Sequence, residues 1–432
     1  MTVQRLDRDE LGGLPEFAPE DTARLRPANR LKSTARQLLP AARADYSRAF
    51  EGHALDLAAR VSALCREREA SRPLAGRLSA LPAGERRAAI RSRDGFRSWS
   101  LCELLIDDCH ELLYAETAGA EETSDLALMV AEELDESYYG SQLVSDLRAR
   151  AWAAVGEVRR TTSDLRGADE AFALAEAFLA VGTGDALEAA RLGELQASLR
   201  RDQRRTAEAH RLLDKVIAVY RQHRDLHLLG RAFVHKGRIH GVANDFAAAV
   251  LWLRKGLGLL DPRRERGLAL SAKHSMMLYL AEGGRQQEAW LLLKASLPEF
   301  RELGGELLTL RLRWLEGKIR LALGHREEAE ALLIEARRGF VAQEIGFDAA
   351  LVSLDLARLY AGLGHAAEMR RLAAETLPIF RSRDLHREAI AALIVFQQAV
   401  QMADVSSHLL QEIDAYLRRA RSDDQLRFEY SL

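Results

Sequence analysis

The feature that most constrains this chain of 432 residues is a period of about 40 residues. A small residue inside a helical pattern recurs at steps of 41, 40, 80 and 40, and Met277 occupies the midpoint of the double step. Twelve residues after each of these positions comes a second mark, usually alanine. Because self-similarity at a fixed period is typical of repeat architectures, each period is predicted to be one structural unit. The first marks are Gly156, Ala197, Gly237, Gly317 and Ala357, and the second marks are Ala168, Ala209, Ala249, Ala289, Ala329 and Met369.

Each unit reads as a helix, a tight turn and a second helix. In one unit Leu308, Leu312, Leu315, Ile319 and Leu323 follow one another at spacings of 4, 3, 4 and 4, which places them on one helical face. Small residues at the marks let two helices approach closely. The pattern predicts an all-α fold, namely a right-handed α-solenoid of stacked helix-turn-helix repeats with a helical N-terminal extension.

The repeats divide the chain into four predicted segments. The last repeat carries Gln397 and Leu409 where small residues are expected, which is typical of a terminal cap that has no following neighbour. The segments are a helical extension over residues 1–95, an atypical acidic helical hairpin over 96–140, seven repeats over 141–423 and a C-terminal tail over 424–432.

The net charge of -2 is an average over unlike segments. Residues 1–95 carry 18 basic and 13 acidic residues, whereas residues 96–140 carry one basic and twelve acidic residues. Either these two segments dock on each other within the chain, or each faces a separate partner. Within the first segment residues 41–69 read as one long helix, which Pro73 and Pro82 are expected to break into short pieces.

Two stretches resemble the tetratricopeptide repeat family. The resemblance covers about residues 141–423, where the period is near 40 rather than 34 residues. Repeats of this length are similar to those of bacterial regulatory and signalling proteins, including peptide-sensing regulators. It implies a concave groove lined by the first helix of each repeat. The matching positions are Gly317, Gly324, Ala329 and Ala336 in LEGKIRLALGHREEAEALLIEA, and Ala357, Tyr360 and Gly364 in LARLYAGLGH.

The sequence contains none of the common catalytic motifs. There is no H-E-x-x-H helix, no phosphate-binding loop, no nucleophile elbow and no dinucleotide fingerprint. Cys102, Cys109 and His110 are the one compact group that resembles metal ligands. Structural zinc needs four ligands, usually with closer cysteine spacing, so buried packing cysteines are favoured over metal or redox chemistry. We therefore expect no enzymatic activity, no metal and no cofactor.

Compartment and broad partner class follow from composition. The three cysteines are too few to staple a chain of this length, and the charged N-terminus lacks the apolar core of a signal peptide. No apolar run approaches the roughly 18 residues of a membrane span. A near-zero net charge gives no basic footprint for nucleic acid or anionic membranes. We expect a cytoplasmic protein that binds neither nucleic acid nor membrane directly.

Cationic residues recur at two offsets of the repeat. Arginine recurs six residues before the small mark, and lysine or arginine recurs one residue after it. These offsets are seven residues apart and share a helical face, which the resemblance places in the concave groove. Guanidinium groups there suit bidentate capture of carboxylates or phosphates. The predicted groove residues are Arg150, Arg191, Arg231, Arg238, His274, Arg311, Trp314, Lys318 and Arg358.

Two interpretations of the arginines remain open from sequence. Either they form a groove for an anionic peptide, or they pair with acids on neighbouring repeats, such as Glu194 or Asp355. The first predicts a non-enzymatic scaffold or regulatory adaptor that binds an acidic or C-terminal segment of a protein partner, with homo-oligomers also compatible. The alternative function is a ligand- or peptide-sensing regulator whose superhelix changes shape to control a partner's activity or transcription.

Overall fold

All regular structure in the described part of the chain is helical. That part contains no strand, which confirms the predicted all-α class. It also contains no helix long and apolar enough to cross a membrane. The predicted first helix of the cap, with Gln397, and the predicted tail lie outside it. The computed structural model describes residues 44–92, 94–115, 117–162, 164–303, 305–343, 345–381 and 407–420.

In the described residues before the repeats there are five α-helices and a 3-10 turn at Asp94–Phe96. A long helix is followed by a short one, then by a hairpin of two helices in the acidic segment and a single helical turn. They are α1 (Ala44–Ser79), α2 (Ala83–Ser92), α3 (Trp99–Ala115), α4 (Thr117–Glu132) and α5 (Glu136–Tyr139).

Helix α1 corrects one expectation, because Pro73 lies inside it and does not break it. Proline in a helix interior removes one hydrogen bond and costs about 3 kcal/mol. The following turns of the helix bury Leu74 and Leu78 in the apolar core of the neighbouring helices. This burial offsets the cost of the proline, and the helix ends only at Ser79, shortly before Pro82.

The repeats form a stack of helical hairpins, as the solenoid prediction requires. Helices alternate between what we call first helices and second helices, and each of the first five second helices packs against the first helix of the next hairpin. The first helices are α6 (Ser141–Thr161), α8 (Ala186–Asp202), α10 (Leu226–Val242), α12 (Arg266–Glu282), α14 (Glu306–Ala322) and α16 (Gly346–Leu363). The second helices are α7 (Leu165–Ala180), α9 (Thr206–Gln222), α11 (Phe246–Leu259), α13 (Gln286–Leu303), α15 (Arg326–Ala342) and α17 (Ala366–Arg381), and α18 (Ser407–Ala420) packs on α16.

The small residues of the repeat lie where the two helices of a hairpin approach most closely. A Cβ atom added to Gly237 would lie 2.8 Å from Cγ of Leu253 and 2.9 Å from the carbonyl oxygen of Ala249. A Cβ atom on Gly317 would lie 3.0 Å from the side chain of Leu333. The recurrent glycine is therefore required by packing, which offsets its cost of about 1 kcal/mol within a helix.

The turn within each hairpin also repeats at 40 residues. Arg204, Asn244, Gly284, Gly324 and Gly364 all adopt positive φ, between 60° and 90°. Glycine enters this left-handed region without a Cβ penalty, and asparagine enters it more readily than most residues. The same backbone turn is thus used in five successive hairpins, even where its residue is an arginine.

Contacts divide the chain into two compact units, residues 1–69 and 70–432. In the first unit the described residues form the N-terminal part of α1. All the repeats belong to the second unit, where α3 and α4 pack on α6 through one apolar core. Helix α3 also reaches α12 and α14, with Cα atoms within 8 Å.

Candidate functional site

The first helices lie on the inner side of the stack. Each first helix contacts the first helix of the next hairpin, whereas successive second helices make at most marginal contact in the described residues. A stack of hairpins curves toward the side where its neighbours approach more closely. The term inner face is used below for one side of the first helices. This side carries Arg150, Arg191, Arg231 and Arg311 and the polar residues that are hydrogen-bonded between them.

Three of the four arginines at the first offset pair forward along the stack. Their partners are carboxylates at the start of the next first helix, where the helix dipole favours negative charge. Each pair therefore joins one hairpin to the next. The pairs are Arg150 with Glu188 at 4.0 Å, Arg231 with Glu265 at 3.1 Å and Arg311 with Asp348 at 3.1 Å.

Arg191 departs from this pattern. Its Nη1 donates to Glu188 of its own helix at 3.2 Å, and its side chain is 41% exposed, against 21% for Arg150 and Arg231. Its buried Nε has no hydrogen-bond partner among the described residues. Of the four arginines, Arg191 therefore has the largest capacity left for a ligand.

A buried carboxylate, Glu194, joins α8 to α9 and α10. Its side chain is 0% exposed; Oε2 accepts a hydrogen bond from the hydroxyl of Tyr220 at 3.0 Å, and Oε1 lies 3.1 Å from Nε2 of His235. Nε of Arg231 lies 3.4 Å away. Burial by itself would raise the pKa of Glu194, but Arg231, His235 and Tyr220 hold it at about 2.

Ser198, His235 and Glu194 form a chain that resembles a nucleophile relay. Oγ of Ser198 lies 2.9 Å from Nδ1 of His235, whose Nε2 contacts Glu194. A nucleophile must be reachable by substrate, yet Ser198 is only 2% exposed and also lies 3.3 Å from the carbonyl oxygen of Glu194. The chain is a structural link between α8 and α10.

His274 and Trp314 lie on the same inner face, and both are bonded across a repeat boundary. Nε2 of His274 lies 3.3 Å from the carbonyl oxygen of Arg311, and burial lowers the pKa of His274 to about 4. Nε1 of Trp314 donates to Asp355 at 2.7 Å, and its ring meets Phe340 edge-on at 6.1 Å. The indole N–H is thus used within the stack.

The second cationic offset is also engaged between repeats. Arg238 and Lys318 contact side chains of neighbouring first helices, whereas Arg358 pairs within α16 and also reaches Asp414 of α18 at 3.2 Å. The contacts are Arg238 to Ser271 at 2.8 Å, Lys318 to Glu282 at 2.5 Å and Arg358 to Asp355 at 2.9 Å.

All nine predicted groove residues therefore lie along one polar seam that connects the first helices. Arg231 pairs with Glu194 of the preceding hairpin, as the second sequence interpretation expects, whereas Asp355 pairs with Arg358 of its own helix. The two interpretations are compatible, because Arg191 and Arg311 remain 41% and 34% exposed beside those pairs.

Sequence reasoning missed Tyr220 and His235 as partners of Glu194. Tyr220 carries a hydroxyl at a position that is apolar and buried in the hairpins that follow. A buried hydroxyl needs a hydrogen-bond partner, so the tyrosine at this position could have predicted a buried polar partner nearby. The equivalent positions, 40 residues apart, are Leu260, Phe300 and Phe340.

The cysteine group lies in the apolar core rather than in a site. Cys102 and Cys109 are buried, as predicted, and their thiols contact the carbonyl oxygens of Ala127 at 3.3 Å and Ala120 at 3.5 Å. Burial raises the pKa of each thiol to about 12, so neither forms a thiolate near neutral pH. The described residues include no group of three or more side chains placed to hold a metal ion.

Comparison with known proteins gives only distant likenesses. No family model and no curated protein matches the chain. Among solved structures, it is similar to a Rap protein complexed with competence and sporulation factor, with a TM-score of 0.45, 12% identity, and coverage of 70% of this chain and 98% of that one. It is also similar to aspartyl phosphate phosphatase F from Bacillus subtilis, with a TM-score of 0.41, 13% identity, and coverage of 78% and 98%. Both TM-scores are below 0.5, so no activity is inferred from either likeness.

Proposed function

We propose that this chain is a non-enzymatic scaffold or regulatory adaptor that binds an acidic peptide segment of a protein partner on its inner face. The observation that supports it is Arg191, whose side chain is 41% exposed on that face and makes one ion pair, with Glu188 of its own helix, among the described residues. A guanidinium fork with unused donors can accept a carboxylate in a bidentate geometry. Arg311, three hairpins along, offers a second exposed guanidinium on the same face.

The test is charge reversal at a position that does not hold the stack together. Arg231 is unsuitable, because it lies 3.4 Å from the fully buried Glu194. Arg191→Glu changes a residue whose one ion pair within the described part of the chain is with Glu188 of its own helix. The matched control is Arg166→Glu on a second helix, where the side chain is 92% exposed.

The probe is a fluorescein-labelled peptide of Glu-Ala-Ala-Ala repeats, with a Lys-Ala-Ala-Ala peptide as its counterpart, measured by fluorescence anisotropy. We expect the wild type to bind the acidic peptide in preference to the basic one. Arg191→Glu should weaken that binding about tenfold or more, the effect of losing one charged hydrogen bond worth roughly 1.5–3 kcal/mol. Arg166→Glu should leave it unchanged. Equal binding by Arg191→Glu and wild type contradicts the assignment.

The second candidate is a regulator that senses a ligand by changing the shape of the stack. It is favoured by the reach of α3 to α12 and α14, which brings together helices far apart in the chain. A ligand that binds one arrangement better than the other shifts the equilibrium between them. Stabilisation against heat by an acidic peptide, together with a change in solution radius, distinguishes this regulator from a passive scaffold.

A further inference from the structure

Three successive second helices, α9, α11 and α13, carry positive charge that the described part of the chain does not neutralise. None of their seven lysines and arginines takes part in an ion pair within the described residues. Four of the five carboxylates on the same helices, by contrast, pair with cations that lie outside these helices. The seven cations are Arg211, Lys215, Arg221, Arg254, Lys255, Lys294 and Arg301, and all but Lys255 are exposed.

Two exposed leucines lie among these cations. Leu251 on α11 is 47% exposed, and Leu291 on α13 is 60% exposed. They are 40 residues apart, as are Arg254 and Lys294, each of which follows its leucine by three residues and so shares its helical face. Equivalent positions of successive hairpins line up along a stack. We call Leu251, Arg254, Leu291 and Lys294 the outer patch.

The outer patch is limited to these two hairpins. At the equivalent positions, α15 carries Ala331 and Ile334, neither of which is charged. Helix α9 carries Arg211 and Asp214, and the carboxylate of Asp214 accepts a hydrogen bond from Lys236 at 2.7 Å. An exposed leucine followed by an unpaired cation is therefore a feature of α11 and α13, not of the flanking hairpins.

The ammonium group of Lys294 is oriented but keeps its charge. Its Nζ lies 4.8 Å from the ring centroid of Trp290 on the same helix. A cation–π contact fixes the position of an ammonium group without supplying a counter-ion. The outer patch therefore presents a held cation beside exposed leucines.

Exposed apolar side chains accompany the opposite charge at the start of the stack. Residues 98–147 include 13 acidic residues and neither lysine nor arginine. Where α4 is followed by α5 and α6, Tyr138 is 57% exposed and Leu143 is 49% exposed. Glu132 is exposed and makes no ion pair within the described residues, and Glu136 is 46% exposed beside Arg148. We call Glu132, Glu136, Tyr138 and Leu143 the end patch.

We propose that the outer patch of one copy of this chain binds the end patch of a second copy. Each patch combines exposed apolar side chains with charge of one sign, and the two signs are opposite. Contact between two outer patches, or between two end patches, would bring like charges together, which is unfavourable. The contact therefore joins unlike patches, and it buries apolar surface while it neutralises cations that have no carboxylate partner. Because the outer patch lies on second helices, the contact does not use the arginines of the inner face.

The first experiment is sedimentation velocity of the full chain in 0.1 M NaCl, at loading concentrations from about 1 μM to about 100 μM, where weak contacts become populated. We expect the average sedimentation coefficient to rise with concentration. The rise should shrink in 1 M NaCl, because the Debye length falls from about 10 Å to about 3 Å.

Charge reversal at the outer patch tests its role in the association. Arg254→Glu/Lys294→Glu should associate at least about tenfold more weakly than wild type, since like charges then face each other. The matched control Arg326→Glu/Arg338→Glu makes the same change of charge at two exposed arginines of α15 that have no ion pair within the described residues, and it should associate as wild type does. A wild type that stays monomeric throughout, or an equal loss in variant and control, overturns the inference.

The second experiment mixes two impaired variants. Glu132→Lys/Tyr138→Ser damages the end patch alone and should also associate at least about tenfold more weakly. An equimolar mixture with Arg254→Glu/Lys294→Glu still holds one intact patch of each kind, so it should form a 1:1 complex at concentrations where each variant alone is monomeric. Such a complex also shows that both variants are folded. If the mixture gives no complex while wild type associates, the pairing of these two patches is overturned.

A different occupant of the outer patch would give a distinct result. A wild type that stays monomeric but binds the Glu-Ala-Ala-Ala peptide, and binds it less tightly after Arg254→Glu/Lys294→Glu, overturns the second copy as the occupant. That outcome assigns the outer patch to an acidic segment of another protein.

Discussion

Glu194 on α8 and Leu354 on α16 occupy the same position in the repeat, three residues before the small mark, and both are 0% exposed. Around Glu194 lie an arginine, a histidine and a tyrosine, whereas Leu354 belongs to the largely apolar core between α15, α16 and α18. The same position in the stack can therefore hold either a buried charged side chain or a buried apolar one. The charged side chain needs several hydrogen-bond and ion-pair partners at once, whereas the apolar side chain needs only close packing.

The same position in the remaining hairpins falls between these extremes. Ala153 and Val234 are apolar, whereas His274 and Trp314 each make a hydrogen bond across the repeat boundary. The full series along the stack is Ala153, Glu194, Val234, His274, Trp314 and Leu354.

The largest effect is expected from Glu194→Ala. The substitution leaves Arg231 and His235 without their buried partner, which costs about 3–5 kcal/mol in the free energy of unfolding. Urea denaturation at pH 7 measures it. Since the pKa of Glu194 is held at about 2, its stabilisation is present above the ordinary pKa of 4.5 and is lost as pH falls toward 2. A loss below about 1 kcal/mol would show that the carboxylate is not a charged anchor.

Leu354→Ala should cost about 2–5 kcal/mol through lost burial and the cavity left behind. Because stability in a repeat stack is local, hydrogen exchange of the α16 amides measures it best. Leu354→Met keeps most of the volume and should cost less than about 1.5 kcal/mol. If both substitutions cost the same, the site is not governed by packing.

A pH effect is expected from His274, where the folded chain has a pKa of about 4 against the ordinary 6.5. Between pH 6.5 and pH 4 the unfolded chain binds a proton that the folded chain does not. This histidine therefore lowers stability as pH falls through that range, by at most about 1.4 kcal/mol per pH unit. His274→Gln should flatten the decline in unfolding free energy between pH 6.5 and pH 4. Identical pH profiles for variant and wild type would contradict the burial of this ring.

The smallest effect is expected from Trp314→Phe. The substitution removes the hydrogen bond to Asp355 but keeps a ring against Phe340, and Asp355 retains Arg358 as a partner. A loss of about 1 kcal/mol is expected in urea denaturation. A loss of unfolding free energy as large as that of Glu194→Ala would contradict this prediction and show that the Trp314–Asp355 hydrogen bond stabilises the stack as much as the buried carboxylate does.

Much of the fold followed from local sequence. The 40-residue period and the 3.6-residue spacing of apolar residues are set within single hairpins, so helices and stacking were predicted correctly. Helix α1 was misjudged at Pro73, because the burial of Leu74 and Leu78 against other helices overrides the local preference.

The inner face was predicted as a set of positions, not as a set of bonds. The offsets placed Arg150, Arg191 and Arg231 on one face, but whether an arginine pairs forward or within its own helix depends on the residue 34 to 38 places later, at the start of the next first helix. Arg191 faces a helix start at Asp225, whose carboxylate already caps the N–H of Leu228. Whether a carboxylate caps its own helix or pairs with an arginine of the preceding hairpin depends on the tertiary structure, which the sequence pattern does not give.

The reach of α3 to α12 and α14 also bears on how this chain can evolve. A stack whose hairpins touch only their neighbours can gain or lose a hairpin by duplication or deletion, especially here, where five turns share one backbone conformation. Removing one hairpin between α6 and α14 would bring a different helix opposite α3. We therefore expect the contacts of α3 to constrain the number of repeats between α6 and α14, and expect hairpins beyond α14 to vary more freely.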